Sequence, residues 1–272
     1  MVYPPPMPPD LNQKLDEAAR QGPRGDEIRD MFAAISPRYD LLNRVVSGWF
    51  DRGWRKKTVR FALDGNGTGT FLDVCSGTGD LAFEIQRQAR EDSTVVGIDF
   101  CREMLCLARD KAPSPGKGPG PRFLVSDALR LPFASGSFDA ALVAFGIRNL
   151  RSVDEGIAEM VRVLRPGGRL VILECSRPQN VISRLLLRVI LFFVPWIGRA
   201  LCGFRVDAYR YLVNSMRAFG ERVDVGSRLL GAGLRDIRIH PLTLGAVTIY
   251  RAETAPGGEK ALPSAPRLAS RG

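Results

Sequence analysis

The sequence predicts an α/β fold, doubly wound around a seven-stranded, mostly parallel sheet, with a helical insertion after the fifth strand. Three observations carry this. Five apolar runs alternate with helical patterns, the rhythm of βαβ units. A glycine turn, Gly77-Thr78-Gly79, stands directly behind the first run. Two late apolar runs are joined only by Pro241–Thr243, too short for a crossover, so one strand near a sheet edge is antiparallel.

In order, strands read at 70–75, 94–99, 122–126, 138–145 and 168–174, each a short apolar run between turn residues. Helical patterns read at 79–90, 102–111 and 153–165, the last closed by Pro166-Gly167-Gly168. Pro113–Pro121 (PSPGKGPGP) holds neither helix nor strand. A mostly helical stretch, 180–232, precedes the strand-like runs 235–240 and 244–251. Residues 1–25 and 253–272 are rich in proline and polar residues and read as disordered tails, leaving 26–252 as one folded domain.

Composition narrows the function classes. The 272 residues, 45% of them hydrophobic, suffice for one sizeable core. A net charge of +10 is spread along the chain, with no basic run interleaved with aromatics, so nucleic acid is not the expected partner. Attraction to an anionic membrane surface fits the same charge. The five cysteines (Cys75, Cys101, Cys106, Cys175, Cys202) form no C-x-x-C pair and read as reduced thiols of a cytoplasmic protein, with no metal site expected. The single histidine, His240, reads as a strand residue. The start, MVYPPPMPPD, has no cationic n-region and no apolar h-region, so no secretory signal is expected.

The glycine turn points to a cofactor. A strand emptying into such a turn leaves backbone N–H groups free, and Gly77 and Gly79 allow close approach of a ligand. Asp99 ends the next strand, 20 residues beyond Gly79, where a carboxylate accepts the hydroxyls of a ribose. The run is Gly77-Thr78-Gly79-Asp80-Leu81-Ala82, with alanine at the third glycine of a dinucleotide fingerprint and an acid at the helix start. Asp80 would repel a pyrophosphate, and Asp73 adds negative charge. A cationic cofactor, S-adenosylmethionine, therefore fits better than NAD, and an NAD-dependent oxidoreductase is the competing class.

The chain resembles the ubiquinone/menaquinone C-methyltransferase family, of UbiE/MenG type, over about Met31–Ala252. The resemblance is carried by MFAAISPRYDLLNRVVS (Met31–Ser47), LDVCSGTGDLA (Leu72–Ala82), SDALRLPFASGSFDAALVAFGIRNL (Ser126–Leu150), EMVRVLRPGGRLVILECSRP (Glu159–Pro178), DAYRYLVNSM (Asp207–Met216) and LTLGAVTIYR (Leu242–Arg251). PRYDLLN, FGIRN and AYRYL are its specific parts. The rest suits any class I S-adenosylmethionine-dependent methyltransferase, whose Rossmann-like, seven-stranded sheet it implies. It further implies methyl transfer from S-adenosylmethionine to a ring carbon of a prenylated hydroquinone: 2-demethylmenaquinol, or a benzoquinol of ubiquinone synthesis, or both. Cofactor contacts are implied at Thr78, Asp99 and Asp127–Ala128. Where the family has serine before FG this chain has Ala144, and Asp127 stands where asparagine is frequent.

Carbon methylation needs an electron-rich ring, so a quinol whose hydroxyl is losing its proton is the expected acceptor. The protein's part is then orientation, desolvation and stabilisation of a phenolate. Arg148 and Asn149, behind the fourth strand, are candidates for the phenolate and a ring oxygen; the bland reading pairs Arg148 with a carboxylate such as Asp154. Tyr39 and Asp40 cover the sulfonium end, or form only a turn and helix cap. Tyr209, Arg210 and Tyr211 wall the acceptor pocket or pack as core. The segment 185–204 has ten residues between Arg188 and Arg199, too few to span a bilayer. With Phe192, Phe193 and Trp196 it reads as a buried helix or as peripheral membrane contact at the inner face. The oligomeric state is left open, a homo-oligomer among the options. Another small lipid or phenol as acceptor, and a non-catalytic quinone-binding scaffold, are the remaining alternatives.

Overall fold

The computed structural model describes residues 47–63, 67–112, 120–176, 178 and 223–257, with isolated positions in 29–44 and at 181, 215–216 and 218–220. Its elements are α1 (Asp51–Ala62), β1 (Thr70–Val74), α2 (Asp80–Gln88), β2 (Thr94–Asp99), α3 (Arg102–Asp110), β3 (Arg122–Val125), β4 (Phe138–Ala144), α4 (Val153–Val163), β5 (Leu164–Cys175), α5 (Val225–Gly231), β6 (Arg235–Leu242) and β7 (Val247–Glu253). The sheet runs β3-β2-β1-β4-β5-β7-β6. All neighbours are parallel except β7, which lies antiparallel between β5 and β6. The seven-stranded, mostly parallel architecture is the one expected, with the antiparallel strand one place in from the edge.

Alternation along each strand sends side chains to opposite faces. On one face Leu72, Val74, Val143 and Ile172 pack under Ile157 and Met160 of α4. On the other, Phe71, Leu142, Val171 and Leu173 meet Val59 and Ala62 of α1, Leu81 and Ile85 of α2, and Leu105 of α3. β1 lies between β2 and β4, so the strand order reverses there and opens a crevice beyond the carboxyl ends, where an open α/β sheet binds its ligand.

Several boundaries differ from the sequence reading. α2 and α4 stop short of 90 and 165, and Pro166-Gly167-Gly168 lies inside β5 instead of ending a helix. The residues between Leu164 and Arg169 bulge, since Phe138 pairs with Leu164 and Ala140 with Arg169. Glu253 ends β7, and Thr254, read as tail, is tied down: its N–H donates to the Gly168 carbonyl (2.9 Å) and its hydroxyl to that of Arg165 (2.6 Å). α1 was not anticipated. Most of 180–232 lies outside the described residues; 215–216, 218–220 and α5 are helical.

Candidate functional site

The crevice is built from strand ends. β1 finishes at Val74, Cys75 turns at φ 57°, and Gly77 and Gly79 follow at φ 55° and 83°. Gly79 is needed for space as well as conformation, because a Cβ there would come within 2.9 Å of Phe123 and Phe83. The turn closes through Gly79 N–H to the Ser76 carbonyl (2.9 Å) and delivers the chain into α2.

Asp99, at the tip of β2, is anchored against this turn. The Gly77 and Cys101 N–H groups each donate to one of its oxygens, both at 2.8 Å. Burial pushes its pKa up to about 6, with those backbone donors and that of Phe100 opposing. Asp73, in β1, accepts the Ser76 hydroxyl (2.6 Å), and burial pushes it up to about 7 although Ser76 and Arg55 pull it down. The negative charge expected of Asp73 is thus partly quenched by a proton at neutral pH.

The turn's outer side carries a second carboxylate group. The Thr78 hydroxyl donates to Asp40 (2.5 Å), while Lys111 bonds Asp40 and lies 3.0 Å from Asp80. Two acids share one lysine, so the charge at the helix start stays negative but is partly neutralised. Thr78 is buried, so Asp40 and Thr78 meet in a partly protected contact.

Phe145 takes φ 57° behind β4, and Gly146 passes so close to β1 that a Cβ would fall 2.4 Å from that of Cys75. Ile147–Asn149 form a single helical turn. Asn149 lines the crevice together with Asp99, Phe100, Met104, Ala144 and Phe145. Cys75 also reaches it, but burial and the carboxylates of Asp99, Asp73 and Glu174 hold its thiol well above its usual range, so it is neutral and no nucleophile.

Arg148 points the other way. Its Nη1 donates to Glu174 Oε1 (2.8 Å) and to the Phe145 carbonyl (2.6 Å), in a nearly fully buried pair. The carboxylate is Glu174, at the end of β5, and not Asp154, which pairs with Arg228 on the surface. The arginine charge intended for a phenolate is therefore largely met inside the protein. Glu174 also accepts the Cys175 N–H (2.8 Å).

Asp127 and Ala128 follow β3. Asp127 is exposed and accepts the Leu129 N–H (2.9 Å), Ala128 packs into the core, and neither is among the residues lining the crevice. Tyr39, Tyr209, Arg210, Tyr211 and 185–204 lie outside the described residues. Sequence reasoning overlooked Phe100, Met104, Phe145 and Glu174. Only Glu174 carried a signal, a lone carboxylate closing the apolar run LVILEC as Asp99 closes VVGID.

The model of the ubiE/COQ5 methyltransferase family matches residues 20–254. The ubiquinone/menaquinone biosynthesis C-methyltransferase UbiE of Geobacter sulfurreducens is 41% identical over 235 residues, 85% of this chain and 89% of that protein. The demethylmenaquinone methyltransferase of Deinococcus radiodurans is 44% identical over 228 residues, 84% and 92%. Among solved structures, a SAM dependent methyltransferase from Aquifex aeolicus aligns at TM-score 0.51 and 21% identity, covering 72% of this chain and 86% of that one, a likeness of fold.

Proposed function

The chain belongs to the ubiE/COQ5 methyltransferase family, and on that premise we propose that it C-methylates a prenylated hydroquinone, 2-demethylmenaquinol in the first place. The cofactor is S-adenosylmethionine, which supplies an electrophilic methyl group on a sulfonium. The observation that carries the reading is Asp99: a carboxylate at the switch point of the sheet, its two oxygens oriented by backbone donors yet facing the crevice.

The residues present fit that cofactor. With backbone donors on both oxygens, the Asp99 carboxylate still has acceptor capacity left for the ribose. Phe100 and Met104, beside it, give a purine an apolar wall, and Asp127 lies at the next strand end for its amino group. Gly77 and Gly79 keep the turn free of Cβ atoms. The family motif assigns Thr78 and Tyr39 to the cofactor; Asp40 and Asp80 stand beside Thr78 on the outer side of the turn, paired with Lys111, and add negative charge near the cationic end without lining the crevice.

The acceptor half is built around Asn149. Its amide fixes a ring oxygen of the quinol, and Phe145 presses on the ring or the start of the tail. Arg148 acts as a positioning residue, since its bonds to Glu174 and the Phe145 carbonyl lock the turn that presents Asn149. A bound quinol displaces water from the crevice, which strengthens every polar contact to a developing phenolate. Apolar 185–204 is assigned to the prenyl tail and to peripheral membrane contact. Among the described residues no helix is long and apolar enough to cross a membrane.

Mass-spectrometric turnover tests the assignment. Purified protein with S-adenosylmethionine is offered reduced demethylmenaquinol and, separately, the demethylated benzoquinol, each with a short prenyl tail. One added methyl on the naphthoquinol is expected. Methylation of the benzoquinol alone moves the enzyme to ubiquinone synthesis. No product from either, with cofactor bound, leaves another small lipid or phenol as acceptor.

A further inference from the structure

Away from the crevice, large apolar side chains stand exposed where the backbone is least willing to hold them. Trp49 is 55% exposed at φ 66°, and Leu244, at the tip of the β6–β7 hairpin, is 63% exposed at φ 57°. Bulky residues rarely adopt this left-handed region, and single strained positions persist where function requires them. Phe50, between Trp49 and α1, is 61% exposed. Burial accounts for none of the three, and easy geometry for Phe50 alone, which takes an ordinary helical backbone at φ −70°.

They form one corner. The Trp54 indole N–H donates to the Thr243 hydroxyl (2.9 Å), tying the hairpin tip to α1. The Phe50 ring stacks on Trp54 at 6.3 Å. Trp54 in turn packs 6.0 Å from Phe145, a wall of the crevice. The corner thus stands at the mouth of the site, one aromatic residue away from its interior.

The neighbouring charge is one-sided. α1 (DRGWRKKTVRFA) exposes Arg52, Lys56, Lys57 and Arg60. Its one acid, Asp51, is buried and paired with Arg55 (2.7 Å). Glu84 of α2 lies near Lys56 and offsets part of this charge, but the exposed face stays basic. Interfacial aromatics beside such a face match a surface that is apolar a few ångströms down and anionic on top.

We propose that the N-terminal end of α1 and the β6–β7 hairpin tip seat the protein on an anionic lipid bilayer. Trp49, Phe50 and Leu244 enter the headgroup boundary, and the α1 cations hold phosphate-rich headgroups. This places the crevice mouth at the membrane, through Trp54 and Phe145. The use of such placement rests on the quinol reading; the contact itself rests on exposure and charge.

Co-sedimentation of the full chain with vesicles tests it. Vesicles of phosphatidylcholine alone are compared with vesicles rich in phosphatidylglycerol. Two variants are used: Trp49→Asn with Leu244→Asn, since asparagine tolerates the left-handed region, and Lys56→Glu with Lys57→Glu on the solvent side of the helix. The unaltered chain should bind the anionic vesicles, and each variant should lower the partition coefficient roughly tenfold or more. Turnover of a short-tailed quinol in solution should stay unchanged in both. Equal binding to both vesicle types, or binding indifferent to both variants, overturns the proposal. So does a dimer that the asparagine variant splits, which would make the corner an interface between copies. A chain that binds vesicles as expected but methylates neither quinol sinks the acceptor assignment and leaves the docking surface standing.

Discussion

Asp99 is where two demands on one side chain meet. Burial favours its neutral form, whereas a ribose needs an acceptor, so the cofactor must bind the ionised state better. Affinity for S-adenosylmethionine should therefore fall as pH drops below about 6, approaching tenfold per pH unit, in calorimetric titrations. Asp99→Asn should weaken binding about 10- to 100-fold, the worth of hydrogen bonds to a charged acceptor, while lowering the melting temperature only modestly, because one of the Gly77 and Cys101 N–H groups loses its acceptor. An equal loss of melting temperature would mean that Asp99 mainly supports the fold. Glu174 should behave in the opposite way. Its change to Gln removes the counter-charge of a buried arginine and should cost about 3 kcal/mol of unfolding free energy in urea melts. The double replacement Arg148→Met, Glu174→Leu should recover most of that, while the loss of the locked turn should still cut kcat.

At the scale of elements, legibility followed hydrophobic pattern. β1, β2, β4 and the hairpin β6–β7 stood out because their runs are apolar and bounded by turn residues. α1 did not, because the stripe it buries is Asp51, Thr58, Val59 and Ala62: half polar, and so without an apolar period to detect. The start of β5 was hidden by Pro166-Gly167-Gly168, which reads as a break and is a bulge. Of the crevice lining, Asp99 was legible from its place at a strand tip and Asn149 from its place behind β4. Phe145 and Met104 were not, since an aromatic or apolar residue reads the same in a core as in a crevice wall. Arg148 shows the limit most clearly: its spacing located the turn, but the direction of its side chain depends on Glu174, 26 residues away. The packing of α1 can be checked directly. Val59→Asp, fully buried against the sheet, should destabilise by about 3 kcal/mol or more, seen as a lower urea midpoint.

For the whole molecule, the buried acids set the pH response. Asp73 and Asp99 hold protons more tightly folded than unfolded, at about 7 and about 6 against 3.8. The native state then binds more protons between about pH 4 and 7, so their contribution to stability declines as pH rises through that window. His240 opposes this, because burial and the cations Lys57, Arg238 and Arg251 lower its pKa and its folded form gains from deprotonation. Two acids with large shifts outweigh one histidine, so the cofactor-free chain should melt higher at pH 5.5 than at pH 8. Asp73→Asn should flatten that slope in scanning calorimetry.

The placement of β7 bears on how the chain is made. A ribosome delivers the strands from β1 onward, and the three whose ends line the crevice, β1, β2 and β4, can pair with each other as they emerge. β5 cannot be flanked on its far side until the last strand among the described residues, Val247–Glu253, arrives to pair with it in antiparallel register. Until then an apolar strand with open N–H and C=O groups is the growing edge, and β6 has no place in the sheet at all. Synthesis cut short even a few residues before Val247 would leave an assembled cofactor crevice on a protein prone to pair with its neighbours.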